Sequence, residues 1–188
     1  MRTLVAALVG MIIIFAYQAL SWMALPTHKS AFTYTKDQDA IMTVLSQHLS
    51  ESGVYAIPSV PPDATMQQHE DMMKQMDGKP QAIINYHTSV SANMVPKMIF
   101  GLVFNLVCIL LVIMVINRGS TVFATFGSRL ALVMTFGIFL VFGGPMMSWN
   151  WWGYPTNYVI ADVFDMIVGW LLCGLWLAWY LGRNRSAE

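Results

Sequence analysis

Residues Val159–Leu181 read VIADVFDMIVGWLLCGLWLAWYL, an apolar run whose only charged residues are Asp162 and Asp165. A helix of roughly 20 such residues crosses the hydrocarbon core of a bilayer. The run is therefore predicted to be a transmembrane helix. Leu4–Leu25, Met98–Ile116 and Leu130–Met147 have the same character. The expected fold class is a membrane protein, mainly α, with four transmembrane helices and a small α+β extracytoplasmic domain between helices 1 and 2. The expected domains are residues 1–25 as the first transmembrane helix, 26–95 as the extracytoplasmic domain, and 96–188 as helices 2–4 with a cytoplasmic tail.

Composition agrees with that reading. Of the 188 residues 56% are hydrophobic and 11% charged, against about 25% charged in an ordinary soluble domain. Ten basic and ten acidic residues cancel, so no net field favours nucleic acid. Seven of the acids and five of the bases lie between Lys29 and Lys97, which concentrates charge in the insert. Cys108 and Cys173 both sit in apolar runs. They read as small buried hydrophobes, and no disulfide is expected to staple the insert.

Flanking charge gives the orientation. Arg2 precedes the first run, Arg118 and Arg129 bracket the link between the second and third, and Arg183 and Arg185 follow the fourth. The link Ser148–Tyr158 carries no charge but holds Trp149, Trp151, Trp152, Tyr154 and Tyr158, an interfacial aromatic belt. A multi-pass protein with both termini cytoplasmic is expected. Ala19-Leu20-Ser21 after the first apolar run has the layout of a signal cleavage site. The length of that run and Trp22 at its end favour a retained anchor.

The insert, 26–95, reads as a compact α+β unit. Thr35 and Gln38 have capping-box spacing, and Ile41, Val44, Leu45, His48 and Leu49 follow at helical intervals. Gly53–Pro58 reads as a strand closed by the Pro58–Pro62 turn, and Thr65 with Gln68 as the cap of a second helix ending at Gly78. Ala82–Val90 alternates as a half-buried strand. About 70 residues without disulfides make a marginal core, so the unit is expected to lean on the helices or on a partner.

The aspartates carry the most chemical information. A carboxylate in hydrocarbon costs at least ~2.5 kcal/mol on insertion scales, which makes an intramembrane acid a functional candidate. Asp162 and Asp165 share a helix face, continued by Gly169 and Cys173 at four-residue spacing as a seam for close helix approach. In the first run Ala6, Gly10, Ile14, Gln18 and Trp22 form a similar row, and Gly101 stands four before Asn105 in the second. Counting at 1.5 Å per residue, Gln18 and Asp162 lie roughly 6 Å inside the outer boundary, Asn105 and Asp165 roughly 10–12 Å. Gln18, Asn105, Asp162 and Asp165 are thus expected to form one intramembrane polar cluster, with a carboxyl bonded to a side-chain amide. Gly143-Gly144-Pro145 is expected to break the third helix nearby. The cluster reads either as hydrogen-bonded glue between helices or as a proton or cation site.

A second candidate lies in the insert. His69, Met72, Met73 and Met76 share a helix face, and thioethers with an imidazole favour Cu(I). The ordinary reading of such a stripe is core or partner-facing surface. His28, His48 and His87 show no ligand spacing. No G-x-S-x-G, H-E-x-x-H, Walker or dinucleotide glycine pattern is present. The chain is not expected to be an enzyme or to carry a cofactor.

Trp22–Pro26, Gly53–Pro62 and Lys79–His87 together resemble a group of small bacterial four-helix inner-membrane proteins with an extracytoplasmic insert. That group has no assigned activity, so the resemblance implies architecture and a bacterial inner membrane only. The function expected is that of a non-enzymatic accessory or assembly protein in the lipid bilayer, engaging another membrane protein. The alternatives are a small proton- or cation-coupled transporter or channel component built on Asp162 and Asp165, acting as a homo-oligomer, and extracytoplasmic Cu(I) handling.

Overall fold

A computed structural model describes residues 1–183. Arg185 and the rest of the expected C-terminal tail lie outside the described residues. In chain order the elements are α1 (Arg2–Met23), a single 3-10 turn (Pro26–His28), α2 (Gln38–His48), β1 (Gly53–Ile57), α3 (Met66–Met76), β2 (Ala82–Tyr86), α4 (Val95–Arg118), α5 (Phe126–Gly143), α6 (Pro145–Trp152) and α7 (Thr156–Gly182). They fall into two compact units, Tyr34–Ala92 and the remainder. Four helical segments are long and apolar enough to cross a membrane: Arg2–Met23, Val95–Arg118, Phe126–Trp152 and Thr156–Gly182.

The third segment is α5 and α6 in series. Gly144 leaves helical geometry at φ −118° and ψ −94°, and Pro145, which has no N–H to donate, starts the next helix. The aromatic link placed at 148–158 is accordingly mostly helical, since Ser148–Trp152 belongs to α6 and Thr156–Tyr158 to α7. Only Gly153, at φ 64°, Tyr154 and Pro155 separate α6 from α7.

Within this unit α7 is central, packed by α1 on one side and α5 on the other, with α4 against α1. Small residues permit the close approach. A methyl group at Gly10 would sit 3.1 Å from the Cys173 sulfur, and one at Gly137 would sit 2.9 Å from Trp170 Cβ. The seam expected along Gly169 and Cys173 is therefore the line on which α1 docks. Ile109, Val112, Ile113, Val133, Cys173 and Leu177 form the centre of the core.

One end of this unit is held by arginines. Arg2 donates to the carbonyls of Tyr180 and Leu181 at 2.9 and 3.0 Å. Arg129, 4% exposed, donates to Ala178 at 2.9 Å and to the Phe123 and Ala124 carbonyls at 3.0 and 2.8 Å. Both guanidinium groups thus satisfy carbonyls in the last turns of α7, where the helix dipole favours a cation. Arg2 and Arg129 flank apolar runs in the sequence, and the structure gives them this second task.

The unit Tyr34–Ala92 is built on an antiparallel β1–β2 hairpin in which Tyr55 pairs with Ile84 and Gly53 with Tyr86. Tyr55 and Ile84 are half-buried and Tyr86 is buried, so one face of the ribbon is covered, as its alternation implied. The second strand ends at Tyr86, four residues before the expected Val90. Thr88 N–H bonds the Ser52 hydroxyl at 3.0 Å, and a side chain there takes the place of a ladder partner. Thr65 and Gln68 make both arms of the capping box of α3. Thr35 does not cap with Gln38. Its hydroxyl accepts from Asp37 N–H at 3.3 Å, a local turn that delays α2 until Gln38. Neither α2 nor α3 buries a residue.

Residues 26–33, read as the start of the insert, fold instead with the long helices. Pro26 opens the 3-10 turn, the Asn157 side chain donates to the Ser30 carbonyl, and Phe32 meets the Tyr158 ring edge-on at 5.6 Å.

Candidate functional site

Asp165, two turns and more into α7, accepts three hydrogen bonds. Tyr17 and Ser21 of α1 donate to Oδ1 at 3.0 and 2.6 Å, and His28 Nε2–H donates to Oδ2 at 2.8 Å. Ser21 is fully buried, and the His28 and Asp165 side chains are 6% and 11% exposed. Every donor in this set is aimed at one carboxylate, the arrangement a charged or acceptor-only group needs when taken out of water. Trp22 stacks on the His28 imidazole with centroids 3.9 Å apart and planes within 12°, and Phe32 tilts against Trp22 at 5.9 Å. The far nitrogen of the imidazole, Nδ1, is buried without a partner.

The sequence pointed to a different set. A carboxyl bonded to a side-chain amide was expected, but the amides pair with each other, Asn105 Nδ2–H donating to Gln18 Oε1 at 3.0 Å. Asp165 belongs to the Tyr17–Ser21–His28 network, while Asp162 accepts no hydrogen bond from any described residue. The four residues are therefore not one hydrogen-bonded cluster. What unites them is a cleft of about 470 Å³ that all four line, together with Ile14, Trp22, Cys108, Leu140, Met166, Gly169 and Trp170.

Tyr17, Ser21 and His28 were missed. Tyr17 and Ser21 continue the row Ala7, Gly10, Ile14, whose alternating steps of three and four hold one helix face. The row of constant fours that singled out Gln18 and Trp22 drifts around the helix, and both of those residues are exposed. His28 carried a usable signal, an imidazole two residues after a proline at the end of an apolar run. It has no metal-ligand spacing to other histidines, so its role rests on position alone.

His69, Met72, Met73 and Met76 all lie on α3, at positions that share a face. His69 and Met73 are exposed and Met72 and Met76 half-buried. Among the described residues no group of three or more His, Cys, Asp and Glu side chains could hold a metal ion.

No protein-family model, curated protein or solved structure matches the chain.

Proposed function

We propose that the chain is a multi-pass protein of a bacterial inner membrane that acts, without catalysis of its own, as an accessory or assembly factor for another protein of that membrane. Both termini lie in the cytoplasm and the unit Tyr34–Ala92 outside. The ring of arginines at one end of the helices supports that orientation, with Arg2, Arg118, Arg129 and Arg183 on the cytoplasmic side. The observation that carries the partner reading is the surface of α2. It buries nothing, yet it presents Ile41, Met42 and Val44, each about half exposed. An unstapled unit of this size gains stability by covering such a face.

The test is affinity purification of the tagged full chain from its native membrane, in parallel with an Ile41→Glu, Val44→Glu double variant. The reading expects a membrane protein recovered with the parent and lost with the variant. Equal recovery from both would remove α2 as the contact.

A second reading, a small proton- or cation-coupled transporter component, is favoured by one feature. Asp162 borders a cleft and has no hydrogen-bond partner among the described residues. Asp165, with both oxygens engaged, serves better as the bond that fixes α1 and the 3-10 turn to α7.

A further inference from the structure

The two aspartates differ in what is left for a ligand. Asp165 already accepts from three donors of its own unit, with both oxygens engaged. Asp162, one turn away on the same helix face, has no donor among the described residues, and it borders open space on two sides. One side is the 470 Å³ cleft lined by Gln18, Trp22, Asn105 and Trp170. The other is a smaller cleft of about 250 Å³ lined by Ser148, Tyr154 and Tyr158. No lysine or arginine lines either. We propose that the larger cleft is a binding site for a small organic cation, an alkyl- or arylammonium, with its charge on the Asp162 carboxylate and its apolar body against Trp22, Trp170 and Ile14.

The chemistry of the lining selects this class. A volume of about 470 Å³ lies in the range of small-molecule sites, which are mostly apolar with a few convergent polar groups. A bare metal ion needs several hard or soft donors at bonding distance, and one free carboxylate beside two carboxamides does not supply them. A proton needs no cleft. An ammonium group with an apolar body fits the lining in each respect. It is attracted to a carboxylate and to indole faces, and an N–H of it can donate to the Asn105 side-chain oxygen, which accepts from no described residue. Ammonium chemistry is offered both by soluble amines and by the ethanolamine headgroup of a lipid. The proposal concerns binding and deepens the transporter reading without requiring transport. It is independent of the α2 contact, so its failure leaves the partner reading untouched.

The experiment uses the purified full chain and benzyltrimethylammonium, titrated calorimetrically, with its neutral isostere neopentylbenzene as competitor. Saturable binding is expected, at least tenfold weaker in Asp162→Asn, retained in Asp162→Glu, and not displaced by the neutral compound. The unaltered chain gives a second readout. The probe should protect Asp162 from modification by a hydrophobic carbodiimide, located by peptide mass mapping, which holds even where Asp162→Asn fails to fold. Nanodiscs with and without phosphatidylethanolamine separate the sources, because a headgroup ligand competes with the probe and a soluble amine does not meet that competition. No saturable binding, equal binding by a folded Asp162→Asn, or unchanged labelling of Asp162 under saturating probe would overturn the proposal.

Discussion

His28 Nε2 lies 2.8 Å from Asp165 Oδ2, a bond across 137 residues that fastens the 3-10 turn to α7. With Tyr17 and Ser21 on the other oxygen, the carboxylate is the hub of α1, the turn and α7. Asp165→Leu strands three donors and is expected to lower stability in detergent by about 2 kcal/mol, at ~0.6 kcal/mol for each helix–helix bond. Asp165→Asn should fall between, because its amide offers one acceptor oxygen where three donors converge and His28 can turn an unprotonated nitrogen toward its NH₂. Thermal melts of both variants check this. A leucine variant as stable as the parent would remove Asp165 as the hub.

Arg129 is expected to matter more than its place in the first turn of α5, beside a short link, suggests. Arg129→Met keeps the aliphatic stem and removes charge-assisted bonds to three carbonyls, at an expected cost on the order of 3 kcal/mol. Arg118→Met, at an exposed position, should stay within about 0.5 kcal/mol of the parent. Equal melting of the two variants would show that the buried guanidinium holds nothing.

The glycines divide in the same way. Gly137→Ala drives a methyl group to 2.9 Å from Trp170 Cβ and should cost about 1–3 kcal/mol through overpacking of α5 on α7. Gly101→Ala meets nothing within 4 Å and should stabilise α4 by up to about 1 kcal/mol. The opposite signs are the check, read from paired melts.

How much of this was legible in the sequence depends on the range of the interactions involved. The apolar runs reveal themselves locally, so the four long helices and the Gly144–Pro145 break were readable, as was the Thr65–Gln68 cap. The site was only half readable. Asp162 and Asp165 stand out because charge is rare in apolar runs. Which donors reach Asp165 depends on the rotation of α1 against α7 and on the fold-back of residues 26–33. Neither is encoded in a spacing within one segment. Thr35 shows the same limit at short range, since its hydroxyl had two backbone partners available and took the nearer.

Orientation is tested by labelling single cysteines with a membrane-impermeant maleimide in intact cells, in a background with Cys108 and Cys173 replaced. Ser59→Cys, in the proposed outer unit, should react, and Ser120→Cys, between α4 and α5, should react only after lysis. The reverse pattern would invert the topology and place the unit Tyr34–Ala92 inside the cell.

The central claim is that α2 docks on another protein of the same membrane, and a photo-crosslinking residue placed at Ile41 tests it most directly. Ile41 is 47% exposed and Val44, one turn along the same face, 55%, so the probe leaves the fold of the unit unchanged. After irradiation in native membranes the account expects one discrete adduct with a different membrane protein, abolished when Val44→Glu is added. Irradiation that yields no protein adduct, or an adduct only with a second copy of this chain, would contradict it.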